Sequence, residues 1–287
     1  MKQIAIISGK GGTGKTTVTA SFAVLEENKI IADCDVDAAD LHLLVTPSVT
    51  KKTDFYSGKT AVIDHALCVK CGKCEAVCRF NAIHDVEIDP IACEGCSFCS
   101  HICPQKAITM EDNLSGEWYV SSTKYGTLVH AKLKAGEENS GKLVEKVREA
   151  SKDIAEQDGK ELIIIDGPPG LGCPVISSIT GVDAVVIITE PTVAGVHDLK
   201  RVSELSQHFG IKTFVCINKW DVNRKKSVDI ESFCDKKHIS LLGKIPFDKT
   251  VVNALIQGEI IVNYCDNGIS TEIKKIWAAL KSQIGMA

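Results

Sequence analysis

The chain has no apolar run long enough to cross a bilayer, and its Met1-Lys2 start is not followed by the apolar stretch of a secretory signal. It carries no basic excess either. With 33 Lys and Arg against 37 Asp and Glu the formal net charge is -4, so no positive field invites nucleic acid or anionic lipid. Nucleic-acid binding and membrane attachment are therefore not expected, and a cytoplasmic location is. The missing export signal also governs how the 13 cysteines are read. In a short secreted chain they would be a disulfide scaffold, whereas clustered in a 287-residue chain they point to metal ligands.

What is present divides into two kinds of sequence. Hydrophobic residues make up 44% of the chain, enough for a sizeable core, and the length admits one large domain or two smaller ones. From Met1 to about Val45 the order is strand, glycine loop, helix, strand: "QIAIIS", "TTVTASFAVL", "KIIADCD". The alternation resumes near residue 120. "GKLVEKVREASKDIAE" has helical spacing, and the apolar strands "ELIIID", "AVVIIT", "KTFVCIN" and "LLGKIP" follow with helical stretches between them. Continuous apolar runs separated by helices predict an α/β fold with a mostly parallel sheet covered on both faces. Near the C-terminus Ile273, Ile276, Trp277, Leu280 and Ile284 share one helical face, which is expected to pack on the core rather than on a membrane.

The segment 59–112 differs in character and holds eight of the cysteines. "CVKCGKCEAVCRFNAI" begins at Cys68 and "CEGCSFCSHICPQKAI" at Cys93, a repeat at a 25-residue offset with every cysteine in register. The organisation expected is thus an α/β domain of residues 1–58 and 113–287 interrupted by a duplicated module, 59–112. Each copy has the spacing C-x2-C-x2-C-x3-C, through Cys68, Cys71, Cys74 and Cys78, then Cys93, Cys96, Cys99 and Cys103. Zinc sites favour pairs of C-x2-C across a longer gap, whereas tandem triplets with a trailing fourth cysteine suit two cubane iron–sulfur clusters. The segment resembles a bacterial two-cluster ferredoxin. That resemblance implies two 4Fe–4S clusters with crossed ligands, one on Cys68, Cys71, Cys74 and Cys103 and the other on Cys93, Cys96, Cys99 and Cys78. Pro104 follows Cys103 as in the usual run, but Arg79 follows Cys78.

"ISGKGGTGKTTV", residues 7–18, fits the phosphate-loop pattern G-x-x-x-x-G-K-[ST] through Gly9, Gly14, Lys15 and Thr16. Gly9, Gly11 and Gly14 also satisfy G-x-G-x-x-G, with Asp33 and Asp35 downstream, the pattern of a dinucleotide site. Lys15 and Thr16 decide between them. A dinucleotide turn needs neither an ammonium nor a hydroxyl there, and a triphosphate with Mg2+ needs both. Main-chain amides of Gly11, Gly12, Thr13, Gly14, Lys15 and Thr16, with Thr17 next on the helix, would cradle the phosphates, and Thr16 would ligate magnesium. Asp166 ends the strand of "IIIDGPPG", where a carboxylate reaches Mg2+, and Asn218 in "INKWD" stands where a base edge is read. "NKWD" also fits the N-K-x-D pattern of GTPases, which leaves Asp221 as a guanine reader. Lys10 is surplus to the binding of one nucleotide.

"KGGTGKT", "DCD", "DGPPG" and "INK" together resemble the MinD/Mrp/ParA class of deviant Walker A P-loop ATPases, which also includes the nitrogenase iron protein, over essentially everything outside the insert. The resemblance implies ATP hydrolysis by a homodimer, or a heterodimer with a related ATPase subunit. In it Lys10 reaches across to the partner's phosphates, Lys15 binds its own, Asp35 positions the attacking water with Asp33 nearby, and Asp166 and Thr16 hold Mg2+. It favours adenine, with Pro246 and the 246–248 loop near the base. The late C-x-x-C of Mrp-type carriers has no counterpart, since Cys216, Cys234 and Cys265 are widely spaced. Cys173 stands where the nitrogenase iron protein has one of two interface-cluster cysteines; its counterpart near 135–141 is missing, so a buried structural cysteine is expected. Three functions fit: ATP-gated electron transfer to an unknown redox partner, cluster delivery to an apo iron–sulfur protein, or a spatial switch whose clusters are structural.

Overall fold

The computed structural model describes residues 1–266 and 268–286. The chain forms two compact units, one of Met1–Lys52, Trp118–Lys132 and the chain from Ser140 onward, the other of Thr53–Glu117 and Leu133–Asn139. In chain order the elements are β1 (Lys2–Ser8), α1 (Lys15–Leu25), β2 (Lys29–Asp33), α2 (Leu41–Val45), β3 (Ser48–Ile63), α3 (Lys73–Val77), β4 (Ile83–His84), β5 (Glu87–Ile88), α4 (Phe98–Ile102), β6 (Ile108–Thr123) and β7 (Gly126–Leu133). They continue with α5 (Ser140–Gln157), β8 (Leu162–Pro169), α6 (Cys173–Ile179), β9 (Ala184–Thr189), α7 (Val193–His208), β10 (Lys212–Asn218), α8 (Arg224–Lys237), β11 (Ser240–Ile245), α9 (Lys249–Ile256), α10 (Ile261–Tyr264) and α11 (Ile269–Ile284).

The first unit is built on parallel pairings. Among the described residues the sheet order is β11-β10-β9-β1-β8-β2-β7-β6-β3, and the pairs from β11 through β7 are parallel. Strands β1, β2, β8 and β9 read as unbroken apolar runs because helices cover both faces, and their residues are almost fully buried. Parallel pairing sends every strand's C-terminal loop to one end of the sheet, which is where such folds bind ligands. The register is specific there: Asp166 on β8 lies level with Ile6 on β1 and with Asp33 on β2.

The apolar face of α11 is core. Ile269, Ile273, Ile276, Trp277, Leu280 and Ile284 are all buried, and Trp277 packs against Phe22 of α1 with ring centroids 4.7 Å apart. The helix lies close on β11, where a Cβ on Gly243 would meet Ile276 at 2.6 Å. Among the described residues no helix is long and apolar enough to cross a membrane.

In the second unit Ala61, Ile63, Ile83 and Ile108 gather around Cys74 and Cys99. The sequence repeat is also a structural one. Helices α3 and α4 start 25 residues apart, and so do three pairs of residues at positive φ: Lys70 and Gly95 (53° and 61°), Gly72 and Ser97 (71° and 63°), Asn81 and Lys106 (52° and 50°). Left-handed backbone at Lys70, Ser97 and Lys106 is uncommon for residues with a Cβ, and its recurrence in register shows both copies folding to the same loop.

Leu280 has no solvent exposure. Leu280→Ala should therefore cost about 2–5 kcal/mol of unfolding free energy by the usual cavity arithmetic, read as a lower midpoint in urea; a loss under half a kcal/mol would mean that this face is not core.

Candidate functional site: a phosphate loop and two cysteine hollows

The loop after β1 is shaped for close approach of an anion. Gly12 and Gly14 adopt left-handed backbone (φ 77° and 90°), and a Cβ on Gly14 would collide with the side-chain amide of Asn218. Helix α1 starts at Lys15 with no side-chain cap and no acidic residue in its first turn, so its N–H groups and positive dipole end stay available. The adjoining cavity is lined by Gly11, Gly12, Thr13, Gly14, Lys15, Thr16, Thr17, Asp35, Asp40 and Leu43, among others.

Three carboxylates converge on Lys15. Its Nζ is 3.0 Å from Asp166 and 3.5 Å from Asp35. Burial works against its charge, but Asp166, Asp35 and Asp33 outweigh burial and hold Lys15 above the usual lysine range. Asp166 also accepts hydrogen bonds from Thr16 Oγ1 (2.9 Å) and Thr19 Oγ1 (2.8 Å). Asp33 is fully buried. One of its oxygens accepts the Asp35 N–H at 3.1 Å and the other has no partner, so burial, with Asp166 beside it, pushes its carboxyl well above the normal range. Burial also raises Asp35, with Lys15 opposing. One ammonium among three carboxyl groups leaves the site short of positive charge. Hard oxygen donors with an orphaned buried oxygen fit a divalent cation.

Lys10 is placed differently from Lys15. Its ammonium pairs with Glu190 at the end of β9, and Glu190 also holds Lys219 at 3.3 Å. Lys219 reaches the Gly12 carbonyl at 3.1 Å. Burial alone would raise the Glu190 carboxyl, but Lys10 and Lys219 hold it below the usual range. Sequence reasoning did not find Glu190, Lys219 or Thr19. Thr19 was within reach, being three residues past Thr16 on the same face of α1.

A second cavity on the same loop is lined by Gly12, Thr17, Asn218, Pro246, Phe247 and Asp248, among others. Asn218 donates to the Thr13 carbonyl at 2.7 Å and accepts the Lys219 N–H at 3.0 Å, so its amide ties the base-side loop to the phosphate loop. Asp221 accepts the Phe247 N–H at 2.7 Å. The carboxylate that would read guanine in an N-K-x-D motif is thus occupied in fixing the 246–248 loop.

The eight clustered cysteines fall into two sets. One hollow is lined by Cys68, Cys71, Cys74 and Cys103, with Ile63, Lys73, Pro104 and Ile108. The other is lined by Cys78, Cys93, Cys96 and Cys99, with Ala61, Phe80, Ile83 and Phe98. Main-chain amides approach the sulfurs in matching fashion: Ala82 N–H lies 3.4 Å from Cys78 Sγ, and Ala107 N–H 3.3 Å from Cys103 Sγ. Lys70 N–H donates to Cys68 Sγ at 3.4 Å. Among the described residues no three His, Cys, Asp or Glu side chains are close-set for a single metal ion.

Cys173 departs from expectation. It is exposed, not buried, because it opens α6 directly after the glycine-rich turn that follows Asp166; a Cβ added at Gly141 would meet its Cβ at 3.3 Å. Cys34, Cys216 and Cys234 are the buried structural thiols.

Comparison with known proteins agrees with this geometry. The family model for the CobQ/CobB/MinD/ParA nucleotide-binding domain matches residues 4–261. An uncharacterized protein of Methanocaldococcus jannaschii is 36% identical over 285 residues, covering 98% of this chain and 97% of that one. The septum site-determining protein MinD of Neisseria meningitidis is 25% identical, covering 97% and 90%. Among solved structures, MinD of Pyrococcus horikoshii, complexed with Mg-ADP, superposes with a TM-score of 0.61 at 18% identity, covering 99% of this chain and 97% of that one, a likeness of fold. The chain belongs to the CobQ/CobB/MinD/ParA family of nucleotide-binding domains and is a P-loop ATPase of that class.

Asp221→Ala removes the acceptor for the Phe247 amide without touching the phosphate loop. It should raise the KM for ATP roughly tenfold, the worth of one charged hydrogen bond, and leave kcat near wild type. An unchanged KM would mean that the 246–248 loop does not depend on Asp221.

Proposed function

We propose that this chain is a dimerising, Mg2+-dependent ATPase whose nucleotide state gates electron transfer through two 4Fe–4S clusters held by an inserted ferredoxin-like domain, residues 59–112. The observation that carries the proposal is the sorting of eight cysteines into two four-cysteine hollows, each taking three from one copy of the repeat and the fourth from the other. That crossing is how the C-x2-C-x2-C-x3-C run is used when two clusters share a small domain. Bound clusters would supply one-electron redox chemistry. The chain's own part is to supply the thiolates, donate N–H groups to sulfur, and leave Cys71 and Cys96 exposed for exchange with a redox partner.

In the nucleotide site, Lys15 and the amides of residues 11–16 would bind the phosphates, Thr16 and Asp166 would hold Mg2+, and Asp35 would orient the attacking water. A divalent ion beside Asp166 would answer the shortage of positive charge and leave Lys15 free to turn to phosphate. Asn218 and Pro246 would border the adenine. Lys10 would leave Glu190 and reach the phosphates of a second subunit, either another copy or a related ATPase chain. Cluster delivery to an apo-protein is the alternative use of the same parts, and it would show as loss of iron from the chain to an acceptor.

Protein purified anaerobically should contain close to eight irons and eight sulfides per chain. A preparation that takes up zinc and rejects reconstituted clusters would overturn the cluster reading while leaving the ATPase intact.

Lys10→Ala should keep ATP binding, since Lys15 remains, but lose ATP-dependent dimerisation and most hydrolysis. Lys15→Ala should weaken binding itself. Sedimentation with and without ATP, alongside nucleotide titration, separates the two; equal loss of binding in both variants would remove the cross-subunit role of Lys10.

A further inference from the structure

The two halves of the second unit act as controls for each other, because a residue in one has a counterpart 25 positions on. Four cysteines per hollow, a left-handed turn before each helix, and an amide on each trailing cysteine are the same in both. The charged residues beside the ligands are not. Lys73, next to Cys74 on the border of the first hollow, has Phe98 as its counterpart in the second. Val69 borders the first, and its counterpart in the second is Glu94, next to Cys93. One half therefore carries a cationic residue where the other has a ring, and the other carries an acidic residue where the first has an aliphatic one.

Resting on the cluster reading above, we propose that the two clusters are unequal. The one on Cys68, Cys71, Cys74 and Cys103 is reduced first, and an electron entering at Cys93, Cys96, Cys99 and Cys78 passes to it. In that step the second cluster loses one electron and the first gains it. No bond breaks and no proton moves, and the electron is supplied by a one-electron donor outside the chain. The physical cause is Coulombic. An added electron makes a cluster one unit more negative, which Lys73 favours and Glu94 opposes. Charges outside the linings partly offset one another. Lys70 and Lys106 stand near ligands of the first cluster where the second half has Gly95 and Asn81, while Glu75 follows Cys74 where the second half has Ser100, and Arg79 follows Cys78 where the first cluster has Pro104. Lys73 and Glu94 are exposed, so water and salt screen them and the difference is moderate.

The test is an anaerobic redox titration followed by electron paramagnetic resonance, with viologen mediators, on protein whose iron content has been measured. Two one-electron steps are expected, with the two clusters differing about tenfold in electron affinity, which is ~59 mV for a one-electron couple. Lys73→Glu should lower the higher midpoint and leave the lower one in place; Glu94→Lys should raise the lower one alone. Lys73→Gln gives a smaller shift in the same sense and covers failure of the charge reversal to assemble. The shifts should shrink in high salt. Equal midpoints, or a Lys73→Glu shift confined to the lower-potential step, would overturn the inequality while the clusters stand. Protein without iron would overturn the cluster reading and this inference together.

Discussion

The nucleotide end of this molecule turns on one crowded point, where three carboxyl groups are set around a single ammonium. Asp33, Asp35 and Asp166 meet at the ends of adjacent parallel strands, because the register that pairs β2 with β8 sets Asp33 level with Asp166. One ammonium, Lys15, stands among them. Burying carboxylates is costly unless they are paired, and one oxygen of Asp33 is not. The imbalance is a property of the fold's site end and not of any single residue. It explains why these few side chains are suited to a polyphosphate with a divalent ion.

The second unit solves a different problem, that of building a core from few apolar residues. Its interior has Ala61, Ile63, Ile83 and Ile108, with cysteines filling positions that larger side chains would take in an ordinary domain. A core so small is marginal unless something else cross-links it. Two groups, each tied to both copies of the repeat, would supply that cross-linking. In the proposed reading, crossed ligation would bear on stability as well as on redox chemistry, because neither copy would complete a site alone.

Much of this was legible in the sequence, and the reasons are local. The phosphate loop, the strand-end aspartates and the 25-residue repeat are written in contiguous residues whose spacing maps directly onto geometry. The β3–β6–β7 part of the sheet was not legible. Most side chains of β3 are exposed, including Lys51, Lys52 and Lys59, so it lacks the apolar alternation by which a half-buried strand is recognised. The Lys10–Glu190 pair was hidden for another reason: the two residues are distant in sequence and meet only once β9 lies beside β1. Cys173 was misread because packing preference is an average, and a helix's first residue at a glycine-rich turn need not obey it.

In the proposed reading, coupling between nucleotide and clusters has to be carried by an element that both can bias. The chain offers one by connectivity. Asp35, Asp40, Leu43 and Leu44 line the phosphate cavity, α2 ends at Val45, and β3 begins at Ser48 and runs on into the second unit. Residues that sense the nucleotide are thus separated from a strand of the cysteine unit by a few residues of chain. Connectivity by itself transmits nothing. A ligand shifts an equilibrium only by its differential affinity for the two states, and the effect must be reciprocal. Asp35 supplies a candidate difference, since it lies 3.5 Å from Lys15 and would have to let go for Lys15 to meet phosphate. If that release moves α2, reduction of the clusters must in turn alter the affinity for nucleotide by the same factor.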